Sequence, residues 1–300
     1  MTRRFATLDV FTTRPHAGNP LAVVLDSEGL DGAAMQAIAR EFNLSETVFV
    51  APPAASGNRA AIRIFTPGQE LPFAGHPTVG TAVLLALRDA AEGRGADRLV
   101  LEETVGPVDC AVAPVDHRIG RATFTLPRLP QRLELAITEG DLAQALGLAA
   151  ADLGFDGHRA SLFSAGVPFV FVPVASRAAV ARSGPAGADF GRIMAGAPHG
   201  NAVVYCREPE EAGHHYHVRM FWPEAGMVED PATGGAAAAF AGVIMAFDRP
   251  GDGTHRFVIE QGYEMGRPSQ IELTLTVAGG ALAAATIGGA AVVMSEGVLL

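Results

Sequence analysis

The sequence contains little cysteine and little charge. Only two cysteines occur among 300 residues, Cys110 and Cys206, and neither has the neighbouring Cys or His spacing of a metal-ligand motif. Charged residues make up 18% of the chain, whereas hydrophobic residues make up 49%. Disordered chains show the opposite balance, so this chain is expected to bury a large core. We expect the two cysteines to be small buried residues within that core.

Basic clusters and long apolar runs are also missing. The formal net charge is −10, from 22 basic and 32 acidic residues, and no Lys/Arg cluster with interleaved aromatics suggests nucleic-acid binding. The longest apolar stretch, Ala236 to Phe247, is shorter than the roughly 20 residues that span a bilayer. Asp9 and Arg14 interrupt the N-terminal apolar residues, so no signal peptide is expected. These absences predict a soluble, cytoplasmic protein without nucleic-acid or membrane partners.

A short pattern that occurs twice is the most informative feature of the chain. Arg63-Ile-Phe-Thr-Pro67 recurs as Arg219-Met-Phe-Trp-Pro223, at an offset of 156 (219 − 63). Each copy is followed by a polar residue and a proline, His76-Pro77 in the first and Asp230-Pro231 in the second, at an offset of 154 (230 − 76). A repeat of this length predicts two similar domains.

The two prolines are predicted to open apolar helices. Pro77 would begin a helix to about Leu87, and Pro231 a helix to Phe247. Both segments are apolar on nearly every face, which indicates helices that are surrounded by protein. Many short strands with turn signals occupy the rest of the chain. We therefore predict an α+β fold in which a curled sheet surrounds each helix.

The helix starts are candidate binding sites. The first N–H groups of a helix carry partial positive charge and lack intrahelical partners, so they attract anions. His76 and Asp230 would lead the two starts, and Gly75, Gly234 and Gly235 would let a ligand approach the backbone. The alternative is that His76 and Asp230 only cap their helices, a common role for Asp and a rarer one for His.

Glu46 is a candidate general acid–base. It follows Ser45 at the head of an apolar strand, where desolvation would raise the pKa of a carboxyl group and suit it to proton transfer near neutral pH. The alternative is an exposed carboxylate at a sheet edge. Glu70 and Glu229 also lie near the repeated motifs, but their polar turns indicate solvated or structural carboxylates.

Motifs for metals and nucleotide cofactors are weak or missing. His215 and His217 would share one face of a strand, but no carboxylate is spaced with them as a third ligand, so we expect no metal site. No GxxxxGK motif occurs, and no GxGxxG motif follows a strand and opens a helix. We therefore expect no nucleotide or dinucleotide cofactor.

Several longer motifs resemble the PhzF-like family of phenazine-biosynthesis proteins, in the same order and over nearly the whole chain. They are Asp9-Val-Phe-Thr, Gly18-Asn-Pro-Leu-Ala-Val, Asn43-Leu-Ser-Glu-Thr, Arg63-Ile-Phe-Thr-Pro, Glu70-Leu-Pro-Phe-Ala-Gly-His-Pro-Thr, Glu229-Asp-Pro-Ala-Thr-Gly and Gly266-Arg-Pro-Ser.

This resemblance implies a diaminopimelate epimerase-like fold of two similar domains, each a curled, mostly antiparallel sheet or barrel around a central apolar helix. The expected domains are residues 1–126 with about 288–300, and residues 131–287, joined near the prolines at 127 and 130. The resemblance places the active site in the cleft between the domains. It also implies a homodimer and a reaction without a cofactor.

The resemblance further implies an isomerase that moves a proton on a small anionic, carboxylated metabolite. Glu46 would transfer the proton, His76 and Asp230 would hold and protonate the substrate, and Ser45 and Gly75 would contribute to the site. Racemisation with Glu46 and Asp230 as opposed bases, and simple binding of an acidic metabolite, stay open as alternatives.

Two departures from related proteins affect these expectations. The family often has Ser where this chain has Gly235, which removes a hydroxyl from the second helix start and leaves the substrate open. The related epimerases place one Cys at each helix start. Here His76 and Asp230 hold those positions, which argues against racemisation by two thiols.

Overall fold

The computed structural model describes residues 2–300 and divides into two compact units. The first comprises Met1–Pro127 with Gly288–Leu300, and the second comprises Arg128–Ile287. The first border therefore lies at Pro127, at the start of the Pro-rich segment.

The first unit contains most of the chain's first half and a short C-terminal segment. Its elements are β1 (Arg3–Val10), β2 (Asn19–Val24), α1 (Gly32–Phe42), β3 (Glu46–Ala51), β4 (Ala60–Phe65), β5 (Glu70–Leu71), α2 (Gly75–Ala91), β6 (Arg98–Glu103), β7 (Gly106–Pro114) and β8 (Ile119–Thr125).

The strands of the first unit pair in a closed ring. Strand β1 pairs antiparallel with β2, β2 parallel with β3, and β3 antiparallel with β4. The ring continues through a parallel β4–β6 pair and the antiparallel pairs β6–β7 and β7–β8. The C-terminal strand of the chain pairs with both β8 and β1 and closes the ring. A closed sheet of this kind has no exposed edge except at added strands.

Helix α2 lies inside this ring, as its apolar sequence predicts. It packs against β1, β2, β3, β6, β7 and β8, and it is buried from Gly75 to Leu87. At Gly80 a Cβ atom would lie 2.6 Å from Leu21 Cδ2 and 2.7 Å from Val10 Cγ2. Only glycine therefore allows the helix to approach β1 and β2 this closely.

Helix α1 covers the outside of the ring. Its N-cap is Asp31, whose side chain accepts a hydrogen bond from Ala34 N, the usual role of a short acidic residue at this position. Met35 and Ala39 pack into a cluster with Phe49 and Phe65. The helical spacing of apolar residues in the sequence thus corresponds to the buried face of α1.

The second unit has more helices than the sequence predicts. Its elements are β9 (Gln131–Leu133), α3 (Glu139–Ala145), β10 (Ser161–Ser164), β11 (Pro168–Pro173), α4 (Arg177–Arg182), α5 (Gly187–Met194), β12 (Ala202–Cys206), β13 (Tyr216–Trp222), β14 (Met227–Asp230), α6 (Gly234–Phe247), β15 (Gly253–Gln261), β16 (Ser269–Ala278) and β17 (Ala281–Leu299). The short helices α4 and α5 were not predicted, and their buried faces join one apolar cluster with α3.

The strand pairings of the second unit repeat those of the first. Along the order β9–β10–β11–β12–β13–β15–β16, the successive strand pairs are antiparallel, antiparallel, parallel, antiparallel, parallel and antiparallel. The order from β17 through β1, β2, β3, β4 and β6 to β7 shows the same sequence of directions. The predicted α+β class with two similar, curled sheets is confirmed.

Both central helices begin at positions that differ from the prediction. Helix α2 begins at Gly75, two residues before Pro77, and its N-cap is Ala74. Helix α6 begins at Gly234, three residues after Pro231, and its N-cap is Thr233. In α2, Pro77 lies inside the first turn, where a proline needs no N–H partner and therefore does not fix which residue starts the helix. In α6, Pro231 precedes the helix, and Thr233 N donates a hydrogen bond to Gln261 Oε1 before the helix begins.

Two sequence expectations concern burial and membranes. Cys110 in β7 and Cys206 in β12 are free thiols and fully buried, as expected. Among residues 2–300, no helix combines the length and apolarity needed to cross a bilayer.

Candidate active site

Glu46 and His76 meet in the first unit. Glu46 is the first residue of β3, His76 lies in the first turn of α2, and Glu46 Oε2 is 3.4 Å from His76 Nε2. Only 12% of the Glu46 side chain and 5% of the His76 side chain are exposed. The exposed-edge alternative for Glu46 is therefore wrong, since β3 also has a neighbour on each side.

The His76 ring is neutral and held in one orientation. Burial lowers the pKa of His76 to about 3, although a hydrogen bond to the backbone of Pro20 opposes this shift. Proline has no N–H, so the ring must donate to the Pro20 carbonyl. Nε2 has no aligned hydrogen bond within residues 2–300, which leaves Nδ1 as the donor. The lone pair of Nε2 therefore faces the Glu46 carboxyl group.

Neither candidate lies at the N-cap position of its helix. His76 lies inside α2, and Asp230 ends β14, four residues before α6 begins. The N-cap residues are Ala74 and Thr233, and neither forms a side-chain cap within the described residues. His76 and Asp230 are therefore not the N-cap residues of these helices.

The remaining first-unit candidates adjoin this pair. Ser45 directly precedes Glu46 and is half-buried, and Gly75 is buried at the first position of α2. Their predicted contribution to substrate binding stays a prediction.

Asp230 in the second unit is held by a small polar network. Its side chain is buried, and Thr233 Oγ1 donates a hydrogen bond to its Oδ2 at 2.5 Å. Gln261 Nε2 donates to the Asp230 carbonyl at 2.7 Å and to Thr233 Oγ1 at 2.9 Å. Gln261 Oε1 accepts from Thr233 N at 3.0 Å, which fixes the amide orientation. This clamp orients the Asp230 carboxylate.

The sequence interpretation missed Thr233 and Gln261. Thr233 belongs to the repeated segment and follows Asp230 by three residues, a spacing at which a hydroxyl can reach back to a carboxylate. Gln261 continues the buried face of β15 two residues after Ile259. A polar residue on an otherwise apolar strand face is a signal that could have identified it.

Gly234 and Gly235 form the first turn of α6, as the sequence predicts for a helix start. Gly234 is buried and Gly235 half-buried. A Cβ atom on Gly235 would lie 3.6 Å from Phe169 Cε2 and 3.7 Å from Phe169 Cζ, an ordinary contact. The position therefore has room for a serine, and the missing hydroxyl is a difference in chemistry rather than a steric requirement.

The repeated Arg and Phe residues form the same contacts in both units. Arg63 binds Glu70 through two hydrogen bonds of 2.7 and 2.6 Å and lies over Phe65. Arg219 binds Glu229 through two hydrogen bonds of 2.8 and 2.7 Å and lies in the same way over Phe221, the matching aromatic residue. These bidentate pairs make Glu70 and Glu229 structural, as the sequence indicates.

The histidine-rich segment forms a hydrogen-bonded cluster. His214 Nδ1 and His217 Nδ1 lie 2.7 and 2.8 Å from the two carboxylate oxygens of Glu260, and His217 Nε2 lies 2.9 Å from Glu264 Oε1. Burial lowers the pKa of His217, but these carboxylates outweigh it and raise the value to about 9. His215 is exposed and does not join the cluster. A protonated His217 has no lone pair for a metal.

Comparison with known proteins shows which family the chain resembles. Residues 8–297 match the model of a family described as phenazine biosynthesis-like protein, PhzC-PhzF. The chain is 52% identical over 301 residues to an uncharacterized isomerase of Mesorhizobium japonicum, covering 99% of each chain. It is 37% identical over 294 residues to the trans-2,3-dihydro-3-hydroxyanthranilate isomerase of Pseudomonas aeruginosa, covering 98% of each chain.

Solved structures share the fold. A phenazine biosynthesis protein of the PhzF family from Bacillus anthracis has a TM-score of 0.87 at 27% identity, covering 100% of this chain and 99% of that one. A hydroxyproline epimerase from Agrobacterium vitis has a TM-score of 0.62 at 14% identity, covering 99% and 92%. At this low identity the second likeness concerns the fold alone.

Proposed function

Because the chain belongs to the phenazine biosynthesis-like family and is an isomerase, we propose that it moves a proton between two carbons of a small anionic, carboxylated metabolite. The transfer is general acid–base catalysis by Glu46, with His76 beside it. The reaction requires a base, a neutral residue beside it and a site that stabilises negative charge on the substrate. Because side chains and backbone N–H groups can supply all three, the proposal includes no cofactor.

The contact between Glu46 and His76 is the observation that carries this proposal. Glu46 breaks a C–H bond of the substrate and takes the proton, and the electron pair moves into the conjugated or carboxyl group. Glu46 keeps the proton between the two transfers, and its new O–H group faces the lone pair of His76 Nε2, 3.4 Å away. Glu46 then returns the proton to a different carbon, and the double bond shifts.

The low basicity of His76 keeps the roles of the two residues distinct. With a pKa of about 3, His76 stays neutral near pH 7 and does not compete with Glu46 for the substrate proton. A neutral imidazole also adds no positive charge that would tie Glu46 into a permanent ion pair. General acid–base catalysis of this kind contributes about 10²–10⁴-fold to a rate.

The helix starts and Asp230 would act on the substrate's charge. The first-turn N–H groups of α2 and α6 favour negative charge, and neither has a side-chain cap in the described part of the chain. We assign Asp230, oriented by Thr233 and Gln261, to holding or protonating the substrate. Ser45, Gly75, Gly234 and Gly235 complete the proposed set of substrate contacts.

The substrate class is proposed from the relatives. The Pseudomonas aeruginosa relative is named for trans-2,3-dihydro-3-hydroxyanthranilate, a cyclic amino acid with a carboxylate, so this compound is the first one to test. Gly235 lacks the hydroxyl that the family resemblance predicts, which favours a related compound with a different polar contact at this point.

Exchange of deuterium from heavy water tests the proposal. The protein would be incubated in deuterium oxide with trans-2,3-dihydro-3-hydroxyanthranilate and, separately, with free amino acids. We expect deuterium at a ring carbon of an isomerised product, located by NMR. Deuterium at the alpha carbon of an amino acid with loss of chirality would indicate a racemase instead. Binding of these acids without any exchange would indicate a non-catalytic binder.

A further inference from the structure

A buried glutamate lies beneath the start of α2. Glu103, the last residue of β6, is buried, and its Oε1 is 2.7 Å from Thr78 Oγ1. Thr78 Oγ1 is also 2.8 Å from the carbonyl oxygen of Ala74, the N-cap of the helix. Thr78 lies two residues after His76 in the same first turn. The contact therefore links Glu103 to the segment that carries His76.

Counting protons decides the state of Glu103. A hydroxyl has one proton, and a carbonyl oxygen can only accept. If Thr78 donates to Ala74 O, the second short contact is a hydrogen bond only when Glu103 carries a proton and donates to Thr78 Oγ1. If Glu103 were ionised, the two acceptors would have to share the single Thr78 proton. Two full hydrogen bonds at these distances require a protonated carboxyl group.

The second unit contains a related contact, in which an amide side chain rather than a carboxyl group meets a threonine hydroxyl. The parallel pairs β4–β6 and β13–β15 place Glu103 and Gln261 at matching positions beside the repeated motif, at an offset of 158 (261 − 103). In the first unit, β4 pairs with β6 through Ala60–Leu101 and Ala61–Glu102. In the second unit, β13 pairs with β15 through Tyr216–Ile259 and His217–Glu260. Gln261 donates to the Thr233 hydroxyl, which donates to Asp230.

A glutamine is a permanent donor, whereas a glutamate donates only when protonated. A side chain at the matching strand position therefore contacts a threonine hydroxyl near both helix starts. Only in the first unit does donation by that side chain require a proton.

The surroundings of Glu103 favour the neutral form. Burial raises the pKa of Glu103 to about 8, and only a hydrogen bond donated by Thr78 to the ionised carboxylate would lower it. Its Oε2 is buried without a hydrogen-bond partner within residues 2–300, which an ionised carboxylate would tolerate poorly.

Few groups on the elements around Glu103 change charge near neutral pH. On β7, Cys110 stays neutral because burial raises the pKa of its thiol to about 12, and on α2, His76 stays neutral above about 3. Asp109 on β7 and Arg63 on β4 are more exposed and pair with Arg98 and Glu70 respectively. Glu103 is therefore the group in this environment that can titrate at mildly alkaline pH.

We propose that Glu103 is a positioning residue that must be protonated to hold the first turn of α2, and with it His76, in the active arrangement. Loss of this proton draws the Thr78 hydroxyl towards the Glu103 carboxylate and away from the Ala74 carbonyl, which loosens the first turn. The proposal rests on the proposed function of Glu46 and His76. It predicts in addition that turnover falls at alkaline pH because Glu103, rather than Glu46 or His76, loses a proton.

The test compares the wild type with Glu103→Gln, Glu103→Met and the control Glu102→Gln. Glu103→Gln installs the donor that the second unit already has, whereas Glu103→Met removes the donor at similar size. Glu102→Gln neutralises the neighbouring carboxylate of the same strand. We expect wild-type and Glu102→Gln turnover to fall tenfold or more as the pH rises past about 8. Glu103→Gln should keep its turnover over this range, and Glu103→Met should be slower at every pH.

Two measurements on Glu103 do not depend on turnover. Infrared spectra at pH 7 should contain a protonated-carboxyl stretch that Glu103→Gln lacks. The unfolding midpoint of the wild type relative to Glu103→Gln should fall as the pH rises from about 5 to 8, because the folded state alone holds the proton in that window.

A third measurement reports the position of His76. The NMR signals of the His76 ring should shift through the same alkaline range in the wild type and stay fixed in Glu103→Gln. Absence of the carboxyl stretch, or equal alkaline limits and equal His76 shifts in both proteins, would overturn the proposal. If no substrate is turned over, the function proposed above fails, while the infrared, unfolding and NMR results still decide the state and role of Glu103.

Discussion

Pro20 and Glu46 lie on neighbouring strands that together fix the candidate site. The Pro20 carbonyl accepts the hydrogen bond of the His76 ring, and the next residue of β2, Leu21, pairs with Glu46 of β3. One strand thus orients both partners of the 3.4 Å contact between Glu46 Oε2 and His76 Nε2. The parallel register of β2 and β3 therefore determines the distance on which the proposed proton transfer depends.

Replacing Glu46 by glutamine should remove catalysis but not folding. Glu46→Gln keeps the size of the side chain and removes its basicity, so turnover should fall by about 10²–10⁴-fold. Glu70→Gln is the matched control, because Glu70 is a half-exposed partner of Arg63 and not a proposed base. Turnover and ligand affinity would be measured for both variants. Full turnover in Glu46→Gln would exclude Glu46 as the base.

His76 should make the protein less stable in acid. Its folded pKa of about 3 lies below the ordinary value of 6.5, so the unfolded state binds the extra proton between these values. Stability is therefore complete above about pH 6.5 and falls as the pH decreases towards 3, by up to about 1.4 kcal/mol per pH unit.

The comparison with His76→Gln isolates this contribution. Other groups also titrate in acid, among them His158, whose pKa burial lowers to about 4. The difference in unfolding free energy between wild type and His76→Gln should change with pH between 6.5 and 4. A constant difference would mean that His76 is not held neutral in the folded protein.

The Thr233 hydroxyl should stabilise the segment that holds Asp230. Thr233→Val removes the donor to the Asp230 carboxylate and the acceptor for Gln261, which should lower the free energy of unfolding by about 1.5–3 kcal/mol. It should also lower turnover, because the carboxylate loses its orientation. Thr233→Ser keeps the hydroxyl and should behave nearly as the wild type in chemical denaturation. Equal losses in both variants would assign the effect to the methyl group instead.

A side chain at Gly235 should be tolerated, in contrast to Gly242 in the same helix. Gly235→Ala meets only ordinary contacts with Phe169 and should stabilise α6 by up to about 1 kcal/mol. Gly242→Ala would overlap the Phe163 ring and should destabilise the protein. Gly235→Ser should in addition change the KM for carboxylated substrates. Gly235→Ala is the control, because it adds the Cβ atom without the hydroxyl. Identical KM values in these two variants would show that no substrate group reaches this position.

The two cysteines should be dispensable for catalysis. Burial raises the pKa of Cys110 to about 12 and of Cys206 to about 11, so neither thiol is a ready nucleophile or base at neutral pH. The double variant Cys110→Ala, Cys206→Ala should retain turnover, and thiol alkylation of the native protein should leave it unchanged. Inactivation by alkylation of the folded protein would contradict this prediction and indicate that a thiol takes part in catalysis.

The sequence determined the architecture because its signals are periodic and local. The apolar helices after Pro77 and Pro231 indicate helices enclosed by sheets, and the repeated Arg-x-Phe motif indicates two similar halves. Asp31 marked its helix start because a short acidic side chain caps well. These features depend on neighbouring residues along the chain, so they can be read without knowledge of the fold.

Tertiary structure decided what the polar residues near the helix starts do. The sequence could not fix where α2 and α6 begin, since Pro77 lies inside the first turn of one helix whereas Pro231 lies three residues before the other. It could not distinguish the buried Glu46 from an edge carboxylate, because only the pairing of β3 with both β2 and β4 encloses it. The protonation state of Glu103 depends on burial and on its contact with Thr78, whose hydroxyl also contacts the Ala74 carbonyl, and residues distant in sequence create both conditions. Sequence patterns therefore gave the candidate residues, while the pairing register and the packing around them set their charge and orientation.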